Sequence, residues 1–121
     1  MTERQDIGQQ GERSVVAWLR NNGYIICEMN WRCGHDEIDI IAKRYDQIHF
    51  IEVKTRRAGS LVTPEQSINE RKLRAVRRCA SAYMAMRRIP LEPYFDLAAV
   101  DVYSNGEFDV RLIEHALEYG W

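Results

Sequence analysis

The sequence predicts one α/β domain, spanning residues 1–121, with helices packed on both sides of a sheet. Two observations predict it. Apolar residues recur at helical spacing in two long segments, and strand-like segments lie between and after them. The strands within residues 36–55 are apolar on both faces, which is typical of strands covered by a helix on each side. The predicted element order is α-β-β-β-α-β-β, and 121 residues are enough for one compact core.

The first helix is predicted from about Thr2 to Asn22, and Gly23 is well placed to end it in the left-handed conformation. Glu12 lies at the centre of its apolar stripe, which consists of Val15, Val16 and Leu19. Glu12 has two interpretations: a partly solvated acid favoured by the helix dipole, or a carboxylate turned towards the core. The helix pattern alone does not decide between them.

Three strands follow. "YIICEMN" is the first, "WRCGHD" is predicted to be a turn, and the next two strands form a hairpin within residues 36–55. Alternation places one apolar set on a single face: Ile38, Ile40 and Ala42. With a four-residue loop, Arg44 to Gln47, the hairpin register gives three cross-strand pairs: Asp39 with Glu52, Glu37 with Lys54, and Ile41 with Phe50. The four charged side chains then cluster at one end of a face.

The second helix is predicted to begin at Thr63 as N-cap, with Pro64 at its first position and Gln66 completing a capping box, and to run to about Arg88. Lys72 lies at the centre of an apolar stripe made of Ile68, Ala75, Val76, Cys79, Tyr83 and Met86. Lys72 either extends along its own stem to water or faces a phosphate. The arginines on the far side of this helix are expected to be solvated.

Two strands complete the chain. Pro90 and Pro93 end the second helix, and "YFDLAAVDVY" and "FDVRLIE" are joined by a hairpin turn at residues 104–107. Asn105 and Gly106 are expected to supply the positive φ angles of that turn.

Composition limits the classes of function. The formal net charge is -1, but the segment from Arg71 to Arg88 holds seven basic and no acidic residues, which leaves ten basic and 18 acidic residues elsewhere. Any contact with nucleic acid must therefore be local. Three cysteines without a Cys-x-x-Cys pair are typical of reduced thiols, and no segment is apolar enough to span a membrane or to act as a secretion signal. We expect a cytoplasmic protein without a membrane partner.

The hairpin charges suggest a metal site. Asp39 and Glu52 are hard oxygen ligands, and Mg²⁺ binds through one or two carboxylates while keeping several waters. Lys54 projects to the same side as Glu52, where it can hold the attacking water and counter charge on a phosphate. The alternative is a buried ion-pair network that fixes strand register, but three carboxylates including Glu12 against one lysine make such a network costly. Metal binding is the favoured interpretation, with Mg²⁺ the expected ion and Mn²⁺ its expected substitute.

Five segments together resemble a known family: "GQQGERSVVAWLRNNGY", "DEIDIIA", "IEVKTR", "NERKLRAVRRCASAYM" and "YFDLAAVDV". They are similar to the YraN family of small bacterial proteins, a predicted branch of the PD-(D/E)XK nucleases related to archaeal Holliday-junction resolvases. The resemblance runs from Gly8 to about Ala116. This chain has Asp36 where the family usually has glycine before the Glu-Ile-Asp triplet, which adds an acid near the metal.

The resemblance implies a three-layer α/β/α restriction-endonuclease-like fold with a mixed central sheet. It implies a site made of Glu12, Asp39, Glu52 and Lys54, with Lys72 supporting it. Homodimers are an expectation of the same kind, because nucleases of this fold often pair to address two strands.

Two functions follow as hypotheses. The first is a Mg²⁺-dependent endonuclease acting on DNA, selective for structure because no helix resembles a groove-reading element. Arg56 and Arg57, directly after the Glu-x-Lys strand, and Lys72 are its candidate nucleic-acid contacts. The second is a non-catalytic nucleic-acid-binding or partner-docking module that keeps the nuclease fold.

Overall fold

The computed structural model describes residues 3–61, 63 and 69–116, with side chains from Asp6 onwards. The order of elements is the predicted one. They are α1 (Glu3–Asn21), β1 (Ile25–Cys33), β2 (Asp36–Arg44), β3 (Gln47–Arg57), α2 (Glu70–Arg87), β4 (Glu92–Val102) and β5 (Phe108–Ile113). An α/β fold is therefore confirmed.

The five strands form one mixed sheet in the order β1-β2-β3-β4-β5. Three neighbouring pairs of strands are antiparallel, whereas β3 and β4 are parallel. They are parallel because α2 carries the chain back to the end of the sheet at which β3 begins. Neither helix in the described part of the chain is long and apolar enough to cross a membrane.

The two helices cover opposite faces of this sheet. On one face α1 packs against β2, β3 and β4 in a buried cluster that includes Leu19, Ile40 and Ile51. On the other face α2 packs in a cluster that includes Ile41 and Phe50. Because Ile40 and Ile41 are consecutive residues of one strand, the two clusters lie on opposite sides of it. The expectation that the central strands are covered on both faces is thus confirmed.

The first turn between strands is shorter than predicted. "WRCGHD" is not a turn as a whole, since β1 continues to Cys33 and Trp31 pairs with Ile38 on β2. The indole of Trp31 also packs edge-on against the ring of Tyr83 in α2, with centroids 5.1 Å apart, which favours keeping it in the strand. Only Gly34 and the residue after it make the turn, and Gly34 supplies a positive φ of 64°.

The predicted start of α2 at Thr63 is wrong. The N-cap is Asn69, whose backbone is extended and whose side-chain oxygen accepts a hydrogen bond from the Lys72 amide at 2.8 Å. A helix running unbroken from Thr63 is excluded by that extended conformation. Pro64, Gln66 and Ile68, to which the same prediction refers, lie outside the described residues.

The apolar stripe of α2 is also shorter than predicted. Met86 is 69% exposed. It lies in the last turn of the helix, which ends at Arg87, beyond Tyr83, the last buried side chain of α2. The other described members of the stripe are buried: Ala75, Val76, Cys79 and Tyr83.

The turn after α1 and the turn between β4 and β5 both contain the glycine that the sequence predicts. Gly23 follows α1 with a φ of 85°, as predicted. In the β4–β5 turn Gly106 has a φ of 87°, whereas Asn105 contributes through its side chain, which accepts a hydrogen bond from the Glu107 amide at 3.0 Å.

Gly11 allows α1 to approach the sheet closely. A Cβ added to this helical residue would lie 3.2 Å from Cβ of Thr55 on β3 and would overlap the Thr55 hydroxyl. Gly8, one turn earlier on the same helix, has nothing within 4 Å of an added Cβ. The two glycines therefore differ in packing although both lie in α1.

We predict that Gly11→Ala and Gly8→Ala change stability in opposite directions. Alanine is favoured over glycine inside a helix by ~1 kcal/mol, so Gly8→Ala is expected to raise the free energy of unfolding. Gly11→Ala is expected to lower it by roughly 1–3 kcal/mol, because the helix must move away from Thr55. Urea denaturation of both variants tests this, and an equal gain for both would contradict the packing role of Gly11.

Candidate active site

The strands β2 and β3 separate at one end of the sheet. Their register pairs Ile41 with Phe50 as predicted, but a two-residue turn at Tyr45 and Asp46 joins them instead of the predicted four-residue loop. Their pairing ends at Ile40 and Ile51, although both strands continue. Asp39 and Glu52, the next residues on each strand, therefore lie where the sheet opens.

The strict alternation predicted for β2 breaks at Asp39. Ile40 and Ala42 pack in the α1-side cluster, but Ile38 packs in the α2-side cluster with Ile41. The prediction that Ile38 shares a face with Ile40 is therefore wrong. The break coincides with the end of the pairing between β2 and β3, where the Asp39 carboxylate accepts a hydrogen bond from the Val53 amide at 2.8 Å.

A pocket of about 720 Å³ occupies this opening. Side chains from both helices and both strands contribute to it, so it lies between the layers at the end of the sheet. Among the described residues, its lining contains four carboxylates and a single amine: Glu12, Glu37, Asp39, Glu52 and Lys72. The remaining lining residues are Gly8, Gln9, Val53 and Thr55.

Glu52 is the most buried acid of this pocket, with 4% of its surface exposed. Its Oε1 lies 3.3 Å from Nζ of Lys72, whereas its buried Oε2 has no hydrogen-bond partner among the described residues. Burial raises the pKa of Glu52 to about 8, and the charge of Asp39 adds to the rise while Lys72 opposes it. A buried carboxylate oxygen without a protein donor is satisfied by a proton, a cation or a bound water.

Glu12 faces this pocket, which decides between its two interpretations. Partial burial raises its pKa to about 7, and the charges of Asp39 and Glu37 add to that rise. The α1 carboxylate is therefore turned towards the sheet, close to the acids of β2.

Lys72 is the amine that faces the acids. Burial lowers its pKa, but Glu52 and Asp39 outweigh that effect, so the pKa is raised and the side chain is charged. Its ion pair with Glu52 excludes the interpretation in which Lys72 only extends to water.

The structure brings together most, though not all, of the predicted site residues. Glu12, Asp39, Glu52 and Lys72 line the pocket, whereas Lys54 is partly buried on β3 and is not part of that lining. Glu37 also lines the pocket, although it was not among the predicted site residues. The sequence alternation puts it on the same face of β2 as Asp39, and that pattern could have identified it.

The two arginines that end β3 lie beside the pocket and differ from each other. Nε of Arg56 donates to Oδ1 of Asp101 at 2.8 Å, so Arg56 is anchored to β4. Arg57 is exposed and has no ion-pair partner among the described residues.

A second buried polar group, which no sequence pattern indicated, lies towards the other end of the sheet. Nδ1 of His49 lies 2.6 Å from Oδ2 of Asp96, and both side chains are almost fully buried. Gln47 contacts the other ring nitrogen at 3.1 Å, and the His115 amide donates to Asp96 at 3.0 Å. Because each of these polar atoms has a partner, the group joins β3 to β4 in the core as a structural element.

The acidic pocket fits a cation with few protein ligands. Within the described residues, no group of three or more His, Cys, Asp or Glu side chains is arranged to hold a metal ion. Asp39 and Glu52 nevertheless supply two carboxylates, one of them with an unpartnered buried oxygen, and Mg²⁺ uses one or two carboxylates and keeps its waters.

Comparison with known proteins decides the family. The model of the Uncharacterised protein family UPF0102 matches residues 11–110, which include every predicted site residue. The chain belongs to the UPF0102 family. This is the membership expected from the YraN-like motifs.

UPF0102 proteins of three bacteria illustrate the similarity along almost the whole chain. One from Bacteroides thetaiotaomicron is 36% identical over 116 residues, covering 96% of this chain and 95% of its own length. One from Porphyromonas gingivalis is 36% identical over 95% of this chain and 84% of its own length. One from Clostridium botulinum is 38% identical over 94% of this chain and 95% of its own length.

We predict that the metal-free protein loses stability as the pH rises, and that Glu52→Gln removes the part of this loss that Glu52 causes, while the part that Glu12 causes through its pKa of about 7 remains. The folded pKa of Glu52, about 8, exceeds the ordinary 4.5. The folded state therefore binds the extra proton, and the stability it contributes is complete below 4.5 and lost as pH rises through about 8. The slope is at most roughly 1.4 kcal/mol per pH unit for one proton.

Urea denaturation between pH 4.5 and about pH 8, with a chelator present, measures the difference in the free energy of unfolding between wild type and Glu52→Gln. The advantage of the variant is expected to grow with pH, and Glu92→Gln, at an exposed glutamate, serves as the control. Parallel stability curves for wild type and Glu52→Gln would show that burial of Glu52 does not favour its protonated form.

Proposed function

We propose that this protein is a Mg²⁺-dependent endonuclease that hydrolyses phosphodiester bonds in DNA. The observation that carries the proposal is the lining of one pocket by four carboxylates and a single amine, with an unpartnered buried oxygen on Glu52. Such a set is costly without a cation, because one ammonium balances only one of the acids. The YraN-like motifs support the same function, and the restriction-endonuclease-like interpretation of the fold is part of this proposal.

In this proposal Asp39 and Glu52 would bind the metal ion directly and Glu12 would contact one of its waters, with Mn²⁺ as a substitute. The bound ion supplies Lewis-acid polarisation of a phosphoryl oxygen. Asp39 is oriented for this purpose by the Val53 amide, which donates to its Oδ2.

The two lysines have separate roles. Lys54 follows Glu52 on the same face of β3, and its proposed role is to orient the attacking water and help remove its proton. Lys72 holds Glu52 in position through their 3.3 Å ion pair and adds positive charge near the phosphate. Arg56 and Arg57 contact flanking phosphates, with Arg56 held by Asp101.

A second function has two observations in its favour. Lys72 already pairs with Glu52, and no three-donor metal group occurs in the described part of the chain. A non-catalytic nucleic-acid-binding or partner-docking module would retain such an ion pair. It would bind DNA or a protein in a manner insensitive to Asp39→Asn and would take up no metal.

We predict metal-dependent DNA cleavage that Asp39→Asn or Lys54→Ala lowers at least about a hundredfold. The wild type is incubated with Mg²⁺ or Mn²⁺ and duplex, single-stranded, flapped and four-way DNA. Circular dichroism and thermal denaturation check that both variants remain folded. Matched controls are Asp109→Asn, an exposed acid on β5, and Lys43→Ala, a partly buried lysine on β2, which are expected to cut as wild type does.

Failure of the wild type to cut any of these substrates with either ion would contradict the nuclease function. Cleavage that survives Asp39→Asn would remove the acidic pocket from the mechanism. Cleavage that survives Lys54→Ala but not Lys72→Ala would move the role of the water-orienting amine to Lys72.

A further inference from the structure

A second pocket continues from the acidic one. It has a volume of about 790 Å³ and shares Gly8 and Thr55 with the lining of the acidic pocket, so the two form one groove across the end of the sheet. Both volumes lie within the range typical of small-molecule sites. Among the described residues, the lining of the second pocket contains no carboxylate, and its arginine, tyrosine and serine side chains are Arg56, Arg57, Tyr103 and Ser104.

Tyr103 is a large aromatic residue left 44% exposed at this pocket. It follows β4 and opens the turn into β5. Its amide donates to the Glu107 carbonyl and its carbonyl accepts from the Gly106 amide, each at 2.9 Å. These bonds fix the backbone on both sides of the residue, so the ring is presented from a rigid support.

Arg57 supplies the positive charge of the pocket. Its position at the end of β3 pairs with Val102, the residue before Tyr103, so the arginine and the tyrosine come from neighbouring strand ends. Arg56 is engaged with Asp101, whereas exposed Arg57 has no ion-pair partner among the described residues. The guanidinium of Arg57 can therefore pair with a phosphate without breaking an existing ion pair.

We propose that this second pocket binds one unpaired nucleotide of the strand that enters the acidic pocket, with its base on Tyr103 and a phosphate on Arg57. The proposal rests on the proposed function, for which it names the substrate class: single-stranded or frayed nucleic acid. A base inside a duplex offers no open face to an aromatic ring, whereas an unpaired base does.

Charge supports the same choice. With a net charge of -1, the protein has no general attraction for a duplex, and the acids of the first pocket repel phosphate. Tyr103 beside Arg57 compensates locally for this lack of attraction. Base stacking on an aromatic side chain contributes to binding affinity without a wide cationic surface.

Binding without cleavage tests the proposal. Fluorescence anisotropy in the presence of a chelator measures the Kd of labelled oligo(dT) and oligo(rU) of about ten nucleotides, and of a blunt duplex of equal length. We expect at least one single strand to bind about tenfold more tightly than the duplex. Tyr103→Ala should weaken that binding about tenfold, and Tyr103→Phe, which keeps the ring, should stay within about twofold of wild type.

The salt dependence tests Arg57 separately. Arg57→Ala should flatten the slope of log Kd against log salt by about 0.7, the value for one phosphate contact on a single strand. The controls are Tyr45→Ala, an 84% exposed tyrosine in the β2–β3 turn, and Arg74→Ala, an exposed arginine of α2. Both should bind as wild type does.

Three results would overturn the proposal. They are a duplex bound as tightly as both single strands, a Tyr103→Ala variant that binds like Tyr45→Ala, and an Arg57→Ala slope equal to that of Arg74→Ala. Failure of the nuclease function is distinguishable from these: Tyr103-dependent binding without Mg²⁺-dependent cleavage refutes only the chemistry, whereas cleavage unaffected by Tyr103→Ala refutes only the second pocket.

Discussion

The burial of Glu52 beside Asp39 is the constraint on which the account depends. One oxygen of Glu52 has Lys72, and the other has no partner among the described residues. Burial raises the pKa of Glu52 to about 8, and the charge of Asp39 adds to the rise, so protonation of this carboxyl group is favoured in the metal-free protein. A divalent cation satisfies the unpartnered oxygen equally and also relieves the repulsion from Asp39.

The fold creates this constraint at the end of the sheet. Where β2 and β3 stop pairing, the Asp39 carboxylate takes the Val53 amide, and the strands open to form the pocket. One helix on each face then contributes a single charged residue, Glu12 from α1 and Lys72 from α2. The close approach at Gly11 keeps α1 near enough for its neighbour Glu12 to feel the charges of β2.

Much of this was predictable because hydrophobic periodicity and turn residues report on local structure. Element order and the Ile41–Phe50 register followed from spacing, whereas spacing placed Lys72 on the apolar stripe of α2 without deciding whether its amine reaches water or the site. The start of α2 was misjudged because two capping sequences compete, and Asn69 rather than Thr63 holds the helix amide. Local patterns were enough to predict the order of helices and strands, but they did not predict contacts between residues that are distant in the sequence. The break in alternation at Asp39 and the pairing of His49 with Asp96, 47 residues apart, depend on tertiary contacts that no periodicity encodes.

Titration of the chelator-treated protein with Mn²⁺ in a calorimeter tests the central claim most directly. The account predicts saturable binding by wild type and by Asp109→Asn, and no saturable binding by Asp39→Asn, because the acids converge on one cation. An isotherm for Asp39→Asn that matches wild type, or no heat in any of the three proteins, would contradict it.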